Sequence, residues 1–197
     1  MDYFIGIVSI VISGILTNNI VLNQSIGICP FLGVSKKTQS AVGMGLAVTF
    51  VITVSTSVCW LLYSLVLEPL DIGYLSTIAF ILVIASLVQL LDIVLKKTSP
   101  TLYNSLGVYL ALITTNCAVL GTANSAVILD SLDFFQSLMT GLSIGLGFTV
   151  ALILMAGIRE KQALYDVPRP FAGFPIALVT AGIMAMAFYG FSGLSFV

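Results

Sequence analysis

Cys29, Cys59 and Cys117 are the three cysteines of a 197-residue chain that contains no histidine. Lack of histidine removes the commonest general base, the commonest zinc ligand and a haem ligand together. Cys59 lies in SVCWLL, inside a regular apolar run, where a thiol is ordinarily a small hydrophobe. Cys29, in GICPFLG, and Cys117, in TTNCAVLG, sit among glycine, proline and asparagine, residues that interrupt helices. A soft thiolate among backbone N–H donors suits an iron–sulfur cluster, because those donors and the dipoles of broken helix ends stabilise anionic sulfur. A [2Fe–2S] cluster ordinarily takes four cysteines. If Cys29 and Cys117 are both metal ligands, two more must come from a partner, most simply a related chain packed across a pseudo-twofold axis. Asn18, Asn19 and Asn116 either add donors to such a centre or fill vacancies in the backbone.

The elements that carry these residues must lie in a membrane. Hydrophobic residues make up 59% of the chain and charged ones 8%, against about 25% charged in an ordinary soluble domain. The expected class is an all-α integral membrane protein, a single membrane domain over residues 1–197, in contact with the lipid bilayer and with no nucleic acid. The N-terminus, MDYFIGIVSIVISGIL, lacks a basic n-region and a small-residue cleavage site, so it is expected to remain as the first span. About 20 apolar residues cross the hydrocarbon core. Six stretches qualify, near residues 4–23, 41–66, 72–95, 102–121, 134–157 and 172–193. Lys36, Lys37, Lys96, Lys97, Arg159, Lys161 and Arg169 follow the odd-numbered spans, while Glu68, Asp71, Asp130 and Asp133 follow the even ones. Basic loops stay cytoplasmic, so both termini are expected outside.

The uncharged runs 3–35 and 98–129 are 33 and 32 residues long, well beyond one straight span. Their polar stretches, TNNIVLNQSIGICPFLG and TTNCAVLGTANS, predict that spans 1 and 4 break into half-helices joined by irregular backbone, which other spans must shield from lipid. Gly141 and Gly145, at GxxxG spacing, are expected in that packing shell. The halves also match each other. TNNIVL (17–22) falls on TNCAVL (115–120) at an offset of 98, and GLAVTF (45–50) on GLGFTV (145–150) at an offset of 100. Three spans per half is odd, so the predicted arrangement is two inverted three-helix repeats, about 1–97 and 98–197. Cys117 aligns with Asn19 rather than Cys29, so the thiols do not follow the duplication. Inverted repeats with broken helices also describe secondary transporters and ion channels. On that alternative, without a redox centre, Asn18, Asn19, Thr114, Thr115 and Asn116 would bind the ion, with Gln89 and Asp92 the nearby groups for a relay.

The segments NNIVLNQSIGICPFLGVSKK, AFILVIASLVQ, KTSPTLYNSLG, LITTNCAVLG and DVPRPFAG together resemble the A subunits of bacterial Rnf (Rsx) electron-transport complexes, which are similar to the E subunits of sodium-pumping NADH:quinone reductases. The resemblance covers essentially the whole chain. It implies a six-span subunit of the bacterial inner membrane, paired with the similar E subunit, with the D and G subunits as neighbours. It also implies that Cys29 and Cys117 supply half the ligands of an intramembrane [2Fe–2S] cluster. Such complexes pass electrons between ferredoxin and NAD and couple this to Na⁺ or H⁺ movement, as redox-driven translocases. No G-x-G-x-x-G nucleotide fingerprint opens a βαβ unit in this chain. No SGAT-like threonine motif is present either, so flavin bound covalently is expected on other subunits.

Overall fold

In the computed structural model, which describes residues 2–70, 75–98, 112–113, 116–129, 133–165, 168 and 173–190, every regular element is helical. The first apolar run forms α1 (Asp2–Ile12) and continues into a π-helical turn, Ser13–Thr17. The Asn18 N–H donates to the Ser13 carbonyl at 2.6 Å and closes that turn. Its apolar part, Gly6–Thr17, is short of the ~20 residues a straight span requires. Residues 18–27 are irregular, and helix resumes at α2 (Ile28–Val34) behind Gly27, whose φ of 84° is left-handed. Pro30 falls in the first turn of α2, where a missing N–H costs nothing. The break is therefore narrower than the stretch 17–33 predicted, because CPFLG is helical.

Among the described residues, two helices are long and apolar enough to cross a membrane: α3 (Thr38–Leu62), extended through a π-helical turn to Leu67, and α7 (Phe134–Gln162). The short α4 (Glu68–Leu70) ends the first of them. The remaining elements are α5 (Ser76–Thr98), α6 (Cys117–Asn124) with a π-helical continuation Ser125–Leu129, and α8 (Phe174–Tyr189). The expected fourth span, 102–121, falls largely outside the described residues. Where irregular backbone was expected over GTANS, the chain is helical instead. Asn116 caps the start of α6 by accepting the Ala118 N–H at 3.0 Å, and the Thr122 hydroxyl returns to the Ala118 carbonyl at 2.7 Å. Polar side chains that bond within their own helix do not need to break it.

α3 and α7 pack against each other along their length, and small residues set their approach. A Cβ added at Gly145 would lie 2.7 Å from the Thr49 Cα, and one at Gly45 would lie 2.6 Å from the Thr149 Cγ2. The Thr49 and Thr149 hydroxyls are 3.0 Å apart, and each also lies within hydrogen-bonding distance of the carbonyl four residues earlier, on Gly45 and Gly145. Gly141 faces Thr53 and Thr56 in the same seam. Around it the core is apolar, with Phe31, Met44, Ile52, Phe80, Phe148 and Met155 fully enclosed.

Charged side chains stand at both ends of this pair, and the basic ones of α7 are confined to its C-terminal end. At the C-terminal end of α7, Arg159 Nη1 donates to the Leu32 carbonyl at 2.8 Å and to Ser35 Oγ at 2.9 Å, and Glu160 accepts the Thr38 N–H at 2.7 Å. At the other end Glu68 and Asp133 line one polar cleft with Trp60, Tyr63, Ser64 and Gln136. Trp60 and Phe134 meet there edge to face, with ring centroids 5.2 Å apart.

Candidate metal centre

The irregular segment before α2 and the start of α6 pack side by side. A Cβ on Gly27 would come within 3.1 Å of both Asn116 Oδ1 and the Ala118 Cβ, and within 3.3 Å of the Phe148 ring. Only glycine combines that closeness with a left-handed φ. Further along, Gly33 faces Leu112, and Gly121 faces Ile20 and Ile26. The two interrupted segments thus form one contact patch. Cys29 follows Gly27 by two residues and Cys117 follows Asn116 directly, so each thiol stands in the first turn of a helix beside that patch.

Cys29 and Cys117 are exposed on the isolated chain, whereas Cys59 is completely buried in α3. A ligand shared with a partner must be reachable from that partner, whereas a packing thiol need not be. Among the described residues no three His, Cys, Asp or Glu side chains converge. The three cysteines of this chain cannot by themselves complete a four-cysteine centre.

The three asparagines divide their roles. Asn19 is fully buried and saturated by backbone: Nδ2 donates to the Gly147 carbonyl at 2.8 Å and the Ile15 carbonyl at 3.3 Å, while Oδ1 accepts from Val21 and Leu22. It substitutes for the helix that stops at Thr17. Asn18 is exposed and lines a cavity of about 580 Å³ with Ser9, Ser13, Gln24, Thr140 and Ser143, and no acidic side chain lines it among the described residues. Asn116 is 4% exposed, with Oδ1 occupied by the α6 cap and Nδ2 enclosed without a hydrogen-bond partner. Those orphaned N–H donors, next to an exposed thiol, are the kind of group an anionic sulfur centre would use. The residues present therefore fit half of a thiolate-held cluster.

Of the other ion-site candidates, Gln89 is exposed on α5, the side chain of Asp92 lies outside the described residues, and so do Thr114 and Thr115. Sequence reasoning missed Arg159, Ser35 and Glu160, which secure the C-terminal end of α2 and the start of α3. Their only signal was the proximity of basic loops at one membrane face.

Comparison with known proteins agrees with the resemblance carried by the cysteine segments. The chain is 54% identical over 188 residues to the A subunit of the Na(+)-translocating ferredoxin:NAD(+) oxidoreductase complex of Acetobacterium woodii, covering 95% of this chain and 97% of that protein. It is also 54% identical to the A subunit of the ion-translocating oxidoreductase complex of Cronobacter sakazakii, over 91% and 93% of the two chains. The corresponding protein of Photorhabdus laumondii is 51% identical over 98% of this chain and 97% of its own. Residues 7–195 match the family described as Rnf-Nqr subunit, membrane protein, and the chain belongs to that family.

Proposed function

We propose that this chain is the A-type membrane subunit of an ion-translocating ferredoxin:NAD oxidoreductase, and that Cys29 and Cys117 supply two ligands of a [2Fe–2S] cluster completed by a similar E-type subunit. The observation that carries this reading is the packing of the two cysteine-bearing turns through Gly27 and Asn116. When bound, such a cluster accepts and passes on one electron at a time. The residues of this chain do the rest. Cys29 and Cys117 would offer their sulfur atoms from an exposed rim, and the Phe148 ring and Ala118 methyl back the patch with apolar surface that keeps water away. Asn19 and Asn116 hold the two interruptions in shape. Electrons would enter from ferredoxin and leave toward NAD through other subunits, with D and G types as neighbours, in a bacterial inner membrane.

The inverted-repeat arrangement is part of the same proposal. Gly45 receives Thr149 and Gly145 receives Thr49, a reciprocal contact at an offset of 100 residues. Such an exchange of like for like is expected where a twofold axis relates two surfaces. The placement of Arg159 beside Ser35, with Glu68 and Asp133 at the far end, supports cytoplasmic basic loops and outer acidic ones.

The test is iron and acid-labile sulfide in the assembled complex. Cys29→Ser and Cys117→Ser should each abolish the cluster signal, and Cys59→Ser should keep it. Full iron content in both single variants would overturn the assignment. A second reading rests on the uncharged cavity beside Asn18: passage of Na⁺ or H⁺ through this chain, as in a carrier without a redox centre. Sodium uptake by liposomes containing the chain alone, free of iron, would favour that reading.

A further inference from the structure

We infer that the side-chain amide of Asn116 is a positioning donor for the cluster, its Nδ2 reserved for a sulfur atom of the centre that Cys29 and Cys117 hold; this rests on the proposal above. Three observations converge on it. Asn116 Oδ1 accepts the Ala118 N–H at 3.0 Å, and this cap sets which way the amide group is turned. Nδ2 is then left enclosed with two N–H donors and no acceptor. Leaving such a group unpaired costs about 1–3 kcal/mol, a cost that a folded chain ordinarily avoids unless something else meets the group. Finally, the next residue is Cys117, and Gly27, where an added Cβ would lie 3.1 Å from Asn116 Oδ1, stands two residues before Cys29.

Asn19 provides the contrast. It is equally buried and equally close to an interruption, yet each of its polar atoms is used by backbone. Backbone repair therefore accounts for Asn19 and only for the oxygen of Asn116. Hydrogen bonds to cluster sulfur raise the reduction potential, since reduction adds negative charge where the donors point.

The assembled complex provides the test. Selective ¹⁵N labelling of asparagine side chains should give a hyperfine coupling to the reduced cluster in the unmodified protein. Asn116→Asp keeps the helix cap and removes the N–H donors, and Asn116→Ser keeps a capping oxygen without added charge on a side chain too short to donate from the Nδ2 position. Both should lose the coupling while retaining iron. At fixed ambient potential each should lower the reduced-to-oxidised ratio about tenfold, which is 59 mV for a one-electron couple. Absence of the ¹⁵N coupling in the unmodified protein, or an unchanged ratio in Asn116→Ser, would overturn the role of Asn116. Absence of any cluster signal with Cys29 and Cys117 intact would instead remove the cluster reading itself.

Discussion

At the scale of single residues, this chain separates chemistry from repair by how completely each polar atom is paired. Asn19 has no capacity left, because four backbone groups use its amide. Asn19→Leu would keep much of the volume and strand the Gly147 carbonyl and the Val21 and Leu22 N–H groups away from water. Each stranded group costs about 1–3 kcal/mol, although membrane hydrogen bonds average nearer ~0.6 kcal/mol when alternative partners exist. The enclosed position of Asn19 argues for the larger figure. A loss of about 2 kcal/mol or more is expected, read as a lowered thermal midpoint of the purified complex. Cys59→Ser carries a smaller burden, since the serine hydroxyl can return to a carbonyl of its own helix, as Ser57 does to Thr53. Residue type and context separated Cys59 from Cys29 and Cys117 in the sequence. The roles of the asparagines were not legible there, because Asn19 and Asn116 differ only in which atoms the folded backbone brings to them.

At the scale of elements, the decisive feature is the junction between α2 and α3, where one helix ends and another starts within four residues. The end of α2 offers unpaired carbonyls and a partial negative charge, and the start of α3 offers unpaired N–H groups and a partial positive one. Adjacent residues of α7 answer both: Arg159 meets Leu32 and Ser35, and Glu160 meets Thr38. Arg159→Ala would remove two charge-assisted hydrogen bonds, each worth about 1.5–3 kcal/mol before solvent competition. Amide hydrogen exchange over residues 28–38 should then accelerate tenfold or more, while α7 itself stays protected. Arg159→Lys should recover part of the protection through a single contact. Unchanged exchange in the alanine variant would mean that α2 is held by its apolar packing alone. Hydropathy located the long helices α3 and α7 well, since uninterrupted apolar length is written directly in composition. It misjudged the extent of irregular backbone around GTANS and CPFLG. Helix-breaking propensities are weak preferences that a single cap, such as Asn116 on Ala118, reverses.

At the scale of the whole molecule, α3 and α7 form the frame on which both interruptions hang: Gly147 of α7 anchors Asn19, Phe148 backs Gly27, and α3 packs against α6. Any change in their separation should therefore reach the cysteine-bearing turns. The reciprocal glycine and threonine contacts set that separation, and their two halves are unequal. At Gly145 an added methyl meets the Thr49 Cα, a backbone atom that can yield only if α3 moves. At Gly45 it meets only side-chain atoms of Thr149, the nearest being Cγ2 at 2.6 Å, with no backbone atom among its closest neighbours. Gly145→Ala is therefore expected to destabilise by about 1–3 kcal/mol, the usual range for overpacking, and Gly45→Ala by less. Gly43→Ala and Gly157→Ala add a methyl with no atom within 4 Å. They should be neutral or slightly stabilising, since alanine is the better helix former. Thermal midpoints and iron content of the four variants, measured in the assembled complex, test the chain of contacts. The expected order of stability is Gly43→Ala and Gly157→Ala highest, then Gly45→Ala, then Gly145→Ala. Loss of iron should appear first in Gly145→Ala. If Gly145→Ala is destabilised with its iron intact, the frame and the candidate metal centre are mechanically independent, and the seam serves only to hold the two long helices together.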